Sequence, residues 1–292
     1  MGLILTADGG STKVHWQLRR PDGALELEFT TTGVNPSVMD CTEVERLVSA
    51  PLRGHIDRYA GAISEVRYFG AGCKGREACA AMERAIRSGA GTEVAVTIGS
   101  DMLGACVGLL GDSPGIACIL GTGANSCLFD GREIIANTPP MGFILGDEGS
   151  GTWLGKRILS DRFKGLMPRS LARGFDSAFS LTEAEAVRRV YRPAEADAAP
   201  NRFLASLVPF IAANIAHPYM EAIVREGIEA FIRRNVMQYL APELTARCGV
   251  TDSRQLPVSF TGGVAYAFRS QVAAVLEAFR LTAGKITRSP LG

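Results

Sequence analysis

Four glycine-rich turns constrain this chain most, and each follows a run of β-type residues. A turn without Cβ atoms lets backbone N–H groups approach an anion closely, and hydroxyl side chains beside it add donors without adding charge. Any one such turn is common between the strands of a β-hairpin, but the four together predict a binding site for phosphate groups. The turns cover residues 8–13, 99–101, 121–123 and 261–263.

The length and composition favour a globular protein of two lobes. The chain has 292 residues, of which 47% are hydrophobic and 21% charged, so neither disorder nor a fibre is indicated. The 31 Lys and Arg residues nearly balance the 30 Asp and Glu residues. This balance leaves no broad positive field for a polyanion, and we expect no nucleic-acid partner.

The chain carries no pattern of membrane attachment or of structural cross-links. No apolar run approaches the ~20 residues needed to cross a bilayer, and the amino terminus enters a strand without a signal-peptide pattern. We therefore expect a cytoplasmic protein with no membrane partner. The seven cysteines lack CxxC spacing, which argues against structural zinc and against a disulfide framework.

The first lobe is predicted to have the order βββαβαβ. Turns at residues 8–13 and 21–23 separate three strands. A helix is predicted over residues 42–59, because Thr42 and Glu45 have the spacing of a capping box. A strand at 66–69, a helix at 77–88 and a strand ending at Asp101 complete the lobe.

A second lobe is predicted to repeat this layout from residue 116 onwards. Three strands come first, followed by helices that build core and by the turn at 261–263. Two related lobes are a common way to form a cleft. The predicted strands are 116–120, 126–129 and 133–136, and the predicted helices are 182–191, 203–216, 219–239 and 266–280.

The expected domains follow from this repeat. The amino-terminal lobe is predicted to cover residues 1–114, and residues from about 281 to 292 are expected to return to it. The carboxyl-terminal lobe is predicted to cover residues 115–280, with a helical insertion at about 160–240.

The order of the polar turns resembles that of the ASKHA superfamily, which includes sugar kinases, actins and Hsp70-type ATPases. Within it, the chain most resembles the N-acetylglucosamine kinase and BadF/BadG/BcrA/BcrD ATPase family, over nearly its whole length and most densely at residues 115–155. The resemblance implies an α/β fold of two actin-like (ribonuclease H-like) lobes, with ATP and acceptor meeting in the cleft between them. The turns that carry it are Asp-Gly-Gly-Ser-Thr at 8–12, Ser-Asp at 100–101, Gly-Thr-Gly-Ala-Asn at 121–125, Gly-Asp-Glu-Gly-Ser-Gly at 146–151 and Thr-Gly-Gly-Val at 261–264.

The same resemblance implies ATP and Mg²⁺ as cofactors and identifies the residues that bind them. Asp8 would hold the metal, mostly through water, and the alternative for Asp8 is an Asx-turn cap. Lys13 is equally compatible with a solvated strand residue, because the Walker order G-x-x-x-x-G-K-[ST] is absent. The implied nucleotide-binding residues are Gly9, Gly10, Ser11, Thr12, Lys13, Gly121, Thr122, Gly123, Gly262 and Gly263.

Asp101 is the predicted general base. It follows a buried strand, so its carboxylate would enter the cleft from a rigid element and accept the proton of a sugar hydroxyl that attacks the γ-phosphorus. The alternative is an N-cap of a helix that begins at Met102. The resemblance implies that Asn35, Asn125 and Asp147 bind the sugar together with Asp101, although Asn35 also fits a plain turn residue.

Three features depart from the family pattern, and one of them, Val14-His15 after Lys13, concerns only a strand. Ala124 stands where the family commonly has Ser, which removes a hydroxyl from the sugar side. The family usually continues with a further helix beyond residues 289–292, so we expect a short carboxyl end here.

The sequence thus predicts an ATP-dependent kinase for the 6-hydroxyl of N-acetylglucosamine or a related hexosamine. Glucosamine and a muramic-acid derivative remain alternative acceptors, and a homodimer remains an alternative to a monomer. Two alternatives of a different functional class also remain, namely an ATPase that activates an iron–sulfur reductase and a non-catalytic sugar sensor. Cys73 and Cys79 are the only close pair of cysteines, and they lack the recurrent spacing of cluster ligands.

Overall fold

The computed structural model describes residues 2–10, 13–73, 75–192 and 199–291. The chain divides into two compact units, one of Met1–Gly108 with Ser289–Gly292 and the other of Leu109–Arg288. Each unit contains one five-stranded sheet and helices. No helix in the described part of the chain has the length and apolar character that a membrane span requires.

The first unit has the predicted order of strands and helices. Its sheet has the order β3-β2-β1-β4-β5, in which β2 runs antiparallel to β1 and β3, whereas β4 and β5 run parallel to β1. The elements are β1 (Leu3–Gly9), β2 (Lys13–Arg19), β3 (Leu25–Thr32), α1 (Cys41–Ile56), β4 (Ile63–Gly70), α2 (Arg76–Ala90), β5 (Ala95–Ser100) and α3 (Asp101–Leu110).

Alternation along the strands separates the two faces of this sheet. Leu5 and Ala7 of β1 are fully buried in a core shared with α1 and α2. Successive side chains of a strand point to opposite faces, so Thr6 and Asp8 lie on the other face. The first sheet therefore has one apolar face under its helices and one face that carries polar groups.

Helix α1 begins one residue before the capping box predicted from the sequence. The side chain of Asp40 accepts a hydrogen bond from the Glu43 backbone N–H at 2.9 Å, so Asp40 and not Thr42 is the N-cap. The helix ends at Ile56, and a short 3₁₀ turn, Asp57–Tyr59, follows it.

The second unit repeats the strand order of the first. Its sheet has the order β10-β9-β6-β7-β8, with β7 antiparallel to β6 and β9 parallel to β6. The elements are β6 (Gly115–Leu120), β7 (Ala124–Phe129), β8 (Ile134–Ala136), α4 (Gly142–Leu145), α5 (Gly151–Phe163), α6 (Arg169–Phe179), α7 (Glu183–Tyr191), α8 (Pro200–Ala205), α9 (Val208–Ala213), α10 (Pro218–Arg234), α11 (Pro242–Arg247), β9 (Val258–Thr261), α12 (Gly263–Ala267), α13 (Arg269–Ala278) and β10 (Ala283–Thr287).

Two predicted helices are each split in two. The helix predicted over 203–216 is replaced by α8 and α9, and Pro209 lies in the first turn of α9, where a missing amide proton costs no helical hydrogen bond. The helix predicted over 266–280 is replaced by α12 and α13, which meet at Phe268.

The expected return of residues 281–292 to the first unit needs a correction. Residues 283–287 form β10, which pairs in parallel with β9 in the second sheet, and only Ser289–Gly292 group with the first unit. The physical reason is that β9 would otherwise be an open edge, whereas β10 satisfies its backbone hydrogen bonds.

Candidate active site

One edge of the first sheet carries Asp101, the predicted general base, and Asp8, the predicted metal ligand. The carboxyl ends of β1, β4 and β5 meet there, because Gly9 pairs with Gly70 and Gly70 pairs with Ser100. Asp8 is the second-last residue of β1, and Asp101 follows β5 directly. The two side chains are close enough that the charge of Asp101 helps to raise the pKa of Asp8.

Asp8 is a half-buried carboxylate with little hydrogen bonding. Burial raises its pKa above 3.8, and the charges of His15 and Lys13 oppose this effect. Its one hydrogen bond to a described side chain is long, because Ser289 Oγ donates to Oδ2 at 3.4 Å. The remaining oxygen lone pairs can therefore coordinate a cation directly or accept hydrogen bonds from its water shell.

The donor set at this edge fits Mg²⁺. No group of three or more His, Cys, Asp or Glu side chains able to hold a metal occurs among the described residues. Magnesium needs no such group, because it is bound through one or two carboxylates and otherwise keeps water or takes phosphate oxygens. Asp8 is thus a suitable single protein ligand.

Asp101 is not the N-cap of its helix, contrary to the alternative raised from the sequence. The hydroxyl of Ser100 accepts a hydrogen bond from the Leu103 N–H at 3.2 Å and so caps α3. Asp101 Oδ1 accepts only from the neighbouring Met102 N–H at 2.9 Å, and Oδ2 has no hydrogen-bond partner within the described ranges. This leaves Oδ2 available for a hydrogen bond with a ligand.

The first glycine-rich turn closes tightly between β1 and β2. Gly10 N–H donates to the Lys13 carbonyl at 2.9 Å, and Ser11 and Thr12, both predicted to bind phosphate, lie outside the described residues. A Cβ on Gly9 would overlap with the Tyr68 hydroxyl, so only glycine fits there. Lys13 is exposed at the start of β2.

Asn35 forms a turn and also lies against the loop that follows β4. Its Oδ1 accepts hydrogen bonds from Ser37 N–H at 3.2 Å and Ser37 Oγ at 2.6 Å, which makes an Asx turn. A Cβ on Gly72, whose φ is +82°, would overlap with Asn35 Oδ1. The Asn35 Nδ2 has no partner in the described part of the chain, and it remains available to a ligand.

Two glycine-rich loops lie side by side in the second unit, since β6 and β9 are parallel neighbours. Gly262 has a φ of +116°, and a Cβ there would overlap with the Leu120 carbonyl. By contrast, Gly121 and Gly263 have open space where a Cβ would be. The backbone at these two positions can therefore be approached closely by a ligand.

The first turn of α5 holds the loop after β6 in place. Gly151 N–H donates to the Gly121 carbonyl at 2.8 Å, and Thr152 N–H donates to the Thr122 carbonyl at 3.1 Å. Ser150 caps the helix by accepting from Trp153 N–H at 3.2 Å. The protein itself uses the Gly151 and Thr152 amides, so they are not available to a ligand at this helix end.

Asp147 joins the loop that precedes α5 to the start of β7. Its Oδ1 accepts a hydrogen bond from the Ala124 N–H at 3.0 Å, and a Cβ on Gly123 would lie 3.1 Å from its Oδ2. Burial raises the pKa of Asp147, the Ala124 amide lowers it, and the charge of Glu148 adds to the increase. Its left-handed φ of 56° is a strained conformation held by these contacts.

Asn125 has a neighbour that the sequence did not identify. Asn125 Oδ1 accepts hydrogen bonds from Ser126 N–H and from Asn137 Nδ2, both at 2.9 Å. Asn137 follows β8, and a polar residue directly after a predicted strand is the only signal that could have indicated it. Ser289 was missed as well, because only the fold brings it to Asp8.

Each unit thus brings together some of the site residues that were predicted from the sequence. The first unit brings together Asp8, Gly9, Gly10 and Asp101, with Asn35 against the loop after β4. The second unit brings together Gly121, Thr122, Gly123, Asn125, Asp147, Gly262 and Gly263.

A solved structure from Porphyromonas gingivalis resembles this chain over almost its whole length. That protein, named as a candidate N-acetylglucosamine kinase, is 38% identical, with 99% of this chain and 95% of that chain covered and a TM-score of 0.86. The chain belongs to the N-acetylglucosamine kinase and BadF/BadG/BcrA/BcrD ATPase family. The predicted α/β fold of two actin-like lobes is confirmed.

More distant structures share the fold alone. A candidate N-acetylglucosamine kinase from Chromobacterium violaceum is 20% identical, with 100% of this chain and 96% of that chain covered and a TM-score of 0.73. A ROK family glucokinase from Streptomyces griseus, in complex with glucose and AMPPNP, is 14% identical, with 100% and 95% covered and a TM-score of 0.56. No protein-family model and no curated protein sequence matches the chain.

Proposed function

We propose that this protein is an ATP-dependent sugar kinase that phosphorylates the 6-hydroxyl of N-acetylglucosamine or a related hexosamine. The observation that carries the proposal is the pair of carboxylates at one edge of the first sheet. Asp101 Oδ2 has no hydrogen-bond partner among the described residues, and Asp8 lies within electrostatic reach of Asp101. Family membership supports the class of acceptor.

In this proposal, Asp101 is the general base. Its Oδ2 accepts the proton of the acceptor hydroxyl while that oxygen attacks the γ-phosphorus and the bond to the β-phosphate oxygen breaks, which gives a sugar phosphate and ADP. Because Asp101 begins a helix capped by Ser100, its backbone is held in place before the substrate binds. Phosphoryl transfer depends mainly on positioning and charge neutralisation, so a fixed base and fixed donors supply most of the chemistry.

The nucleotide is proposed to bind through backbone amides and hydroxyls of the glycine-rich loops. Asp8 would hold Mg²⁺, whose charge offsets that of the phosphates. The predicted donors are those of Gly9, Gly10, Ser11, Thr12, Lys13, Gly121, Thr122, Gly123, Gly262 and Gly263. The open backbone at Gly121 and Gly263 supports this role.

The acceptor is proposed to bind through Asn35, Asn125 and Asp147 in addition to Asp101. The Oδ1 atoms of both asparagines already accept protein hydrogen bonds, so their Nδ2 groups would donate to sugar oxygens. A buried polar group left unpaired costs about 1–3 kcal/mol, and such a set selects a sugar that pairs every group. Ala124 contributes only a backbone amide, which Asp147 uses.

The reductase-activating alternative is disfavoured by the chemistry of its candidate ligands. Iron–sulfur clusters are bound by thiolates. Cys73 is buried, and burial raises the pKa of its thiol to about 12. A thiol of this kind holds its proton, and we expect the purified protein to contain no stoichiometric iron.

The first prediction concerns acceptor-dependent turnover. We expect ADP release from Mg-ATP with one amino sugar among N-acetylglucosamine, glucosamine, glucose, N-acetylmannosamine and N-acetylmuramic acid. Asp101→Ala and Asp101→Asn should lower kcat by about 10²–10⁴-fold, the usual contribution of a general base. Phosphorus NMR of the product identifies the phosphorylated hydroxyl.

The matched control for this experiment is Asp57→Asn. Asp57 is an exposed carboxylate in the 3₁₀ turn after α1, and its replacement should leave kcat unchanged. ATP hydrolysis that is indifferent to every sugar would contradict the kinase proposal. Full activity of both Asp101 variants would contradict the role of the base while leaving the kinase itself standing.

The location and assembly of the protein are proposed on the same basis. We expect it in the cytoplasm, where ATP and amino sugars are available, with an amino sugar as its small-molecule partner. The homodimer is tested by light scattering during gel filtration, where a mass of twice 31.0 kDa would support it.

A further inference from the structure

A buried tyrosine hydroxyl beneath the first glycine-rich turn has no hydrogen-bond partner. Tyr68 on β4 is 0% exposed, and its hydroxyl is the one buried side-chain polar atom without a partner among the described residues. A buried unpaired hydroxyl is costly, and phenylalanine would fill the same space without that cost. The hydroxyl therefore needs an explanation beyond packing.

The tyrosine ring extends toward the edge of the sheet that carries the candidate site. Tyr68 pairs with Ala7 of β1 on the apolar face, beside the ring of Trp16. A Cβ on Gly9 would overlap with its hydroxyl, and a Cβ on Gly70 would lie 2.5 Å from its ring atom Cε1. Gly9 and Gly70 are the last residues of β1 and β4, so the hydroxyl lies directly under the turn.

The surroundings keep this hydroxyl protonated. Burial raises the pKa of Tyr68, and the charges of Cys73 and Asp8 act in the same direction. At neutral pH the group is thus a hydrogen-bond donor that still lacks an acceptor. It is also within electrostatic reach of Asp8, the proposed metal ligand.

We infer that Tyr68 is a positioning residue for the nucleotide, whose hydroxyl supports the Gly9–Gly10 backbone and gains its hydrogen-bond acceptor only when Mg-ATP is bound. This inference rests on the proposed kinase function. The acceptor would be an oxygen that comes within reach of the hydroxyl on binding, either a backbone carbonyl of Gly9 or Gly10 or a water molecule that accompanies the metal. In this arrangement the unpaired hydroxyl lowers the stability of the free protein, whereas its hydrogen bond in the complex strengthens nucleotide binding.

The inference predicts opposite changes in stability and in nucleotide binding for Tyr68→Phe. Without ligand, the variant should unfold about 2–4 °C higher than the wild type, because an unpaired hydroxyl is removed from the interior. Its KM for Mg-ATP should rise about three- to tenfold, the value of one hydrogen bond, while the KM for the sugar stays unchanged. If Tyr68 only filled space, its replacement would change the unfolding temperature without a selective rise in the KM for Mg-ATP.

Two further tyrosines provide matched controls. Tyr239 is also buried, but its hydroxyl donates to the Ser126 carbonyl at 2.8 Å and accepts from Thr138 N–H at 2.8 Å. Tyr239→Phe should therefore lower the unfolding temperature. Tyr59 is only partly buried and makes one long contact of 3.5 Å with the Glu26 carbonyl, so Tyr59→Phe should leave both stability and the KM for Mg-ATP unchanged.

The outcomes separate this inference from the proposed function. An unchanged KM for Mg-ATP in Tyr68→Phe, or an equal rise of unfolding temperature on adding Mg-ATP to variant and wild type, would overturn the role of Tyr68 while the kinase stands. If the wild type shows no sugar-dependent turnover, the proposed kinase function is wrong. If Mg-ATP in addition does not raise the unfolding temperature of the wild type, no nucleotide binds, and both the kinase function and the role of Tyr68 are wrong.

Discussion

Asp8 and Asp101 lie at the same edge of one sheet, yet their local contacts differ. One carboxylate oxygen of Asp101 has no hydrogen-bond partner in the part of the chain that the structure describes, and Ser100 instead of Asp101 caps the helix. Asp8 is half-buried, and its single hydrogen bond to a described side chain is the long one from Ser289. A carboxylate with most of its lone pairs free can bind a cation directly or through water, which suits the metal role proposed for Asp8.

The raised pKa of Asp8 makes a prediction about pH. Because burial raises its folded-state pKa above 3.8, the folded protein favours the protonated carboxyl, and that stabilisation is fully present below 3.8. It is lost as the pH rises through the folded-state pKa. Asp8→Asn should therefore unfold a few degrees above the wild type at pH 7, with a difference that shrinks toward pH 3, in thermal unfolding followed by circular dichroism.

Asp57→Asn serves again as the control, because this side chain is exposed and its replacement should leave the unfolding temperature unchanged. Asp8→Asn should also lose nearly all activity, since an amide binds Mg²⁺ poorly. An Asp8→Asn variant less stable than the wild type at pH 7 would show that burial does not dominate at this residue.

At the scale of elements, the loops after β6 and β9 depend on each other. Gly262 lies against the Leu120 carbonyl with a φ of +116°, a conformation that side chains rarely adopt, whereas its neighbour Gly263 begins α12 beside open space. Two adjacent glycines thus have separate roles, one in packing and one in leaving the backbone open.

This difference predicts unequal effects of two matched substitutions. Gly262→Ala should lower the free energy of unfolding by about 2 kcal/mol or more, because it combines backbone strain with an overlap. Gly263→Ala should leave stability unchanged or slightly higher, since alanine favours a helix. Chemical denaturation compares the variants, and equal destabilisation by both would contradict the proposed packing of the two loops.

For Gly263→Ala, the KM for Mg-ATP gives a separate readout. A methyl group on the open side of the loop should weaken nucleotide binding without loss of stability. An unchanged KM would remove Gly263 from the proposed phosphate-binding set.

At the scale of the whole molecule, the same strand order occurs twice. In each sheet the first strand of the unit lies in the centre, with an antiparallel hairpin partner on one side and a parallel strand on the other. The second sheet needs β10 to complete this pattern. The Gly262 N–H donates to the Thr287 carbonyl at 3.1 Å, so β10 also fixes the loop after β9.

Two carboxyl-terminal deletions should separate these roles. Removal of residues 283–292 exposes the β9 edge, whose Val258 and Phe260 are fully buried, and should cause aggregation and a large fall in unfolding temperature. Removal of residues 289–292 deletes the Ser289 donor to Asp8 and the contact of Pro290 with Gly108, and should lower the unfolding temperature only slightly. Similar behaviour of both proteins in thermal unfolding and light scattering would contradict the structural role of β10.

The sequence by itself determined the fold class and the positions of the polar turns. Strand alternation and glycine positions are local properties, and they suffice to predict β1, β4 and β6 and the turns that follow β1, β6 and β9. The placement of Asp101 directly after a strand follows from the same local pattern.

Only the tertiary structure decided what depends on partners distant in sequence. β10 was assigned to the wrong unit because strand pairing is a long-range choice that five residues do not encode. Ser289 beside Asp8, Asn137 beside Asn125 and the unpaired Tyr68 hydroxyl beneath Gly9 could not be predicted for the same reason. Burial and hydrogen-bond satisfaction are properties of packed neighbours, and the chain acquires those neighbours only when it folds.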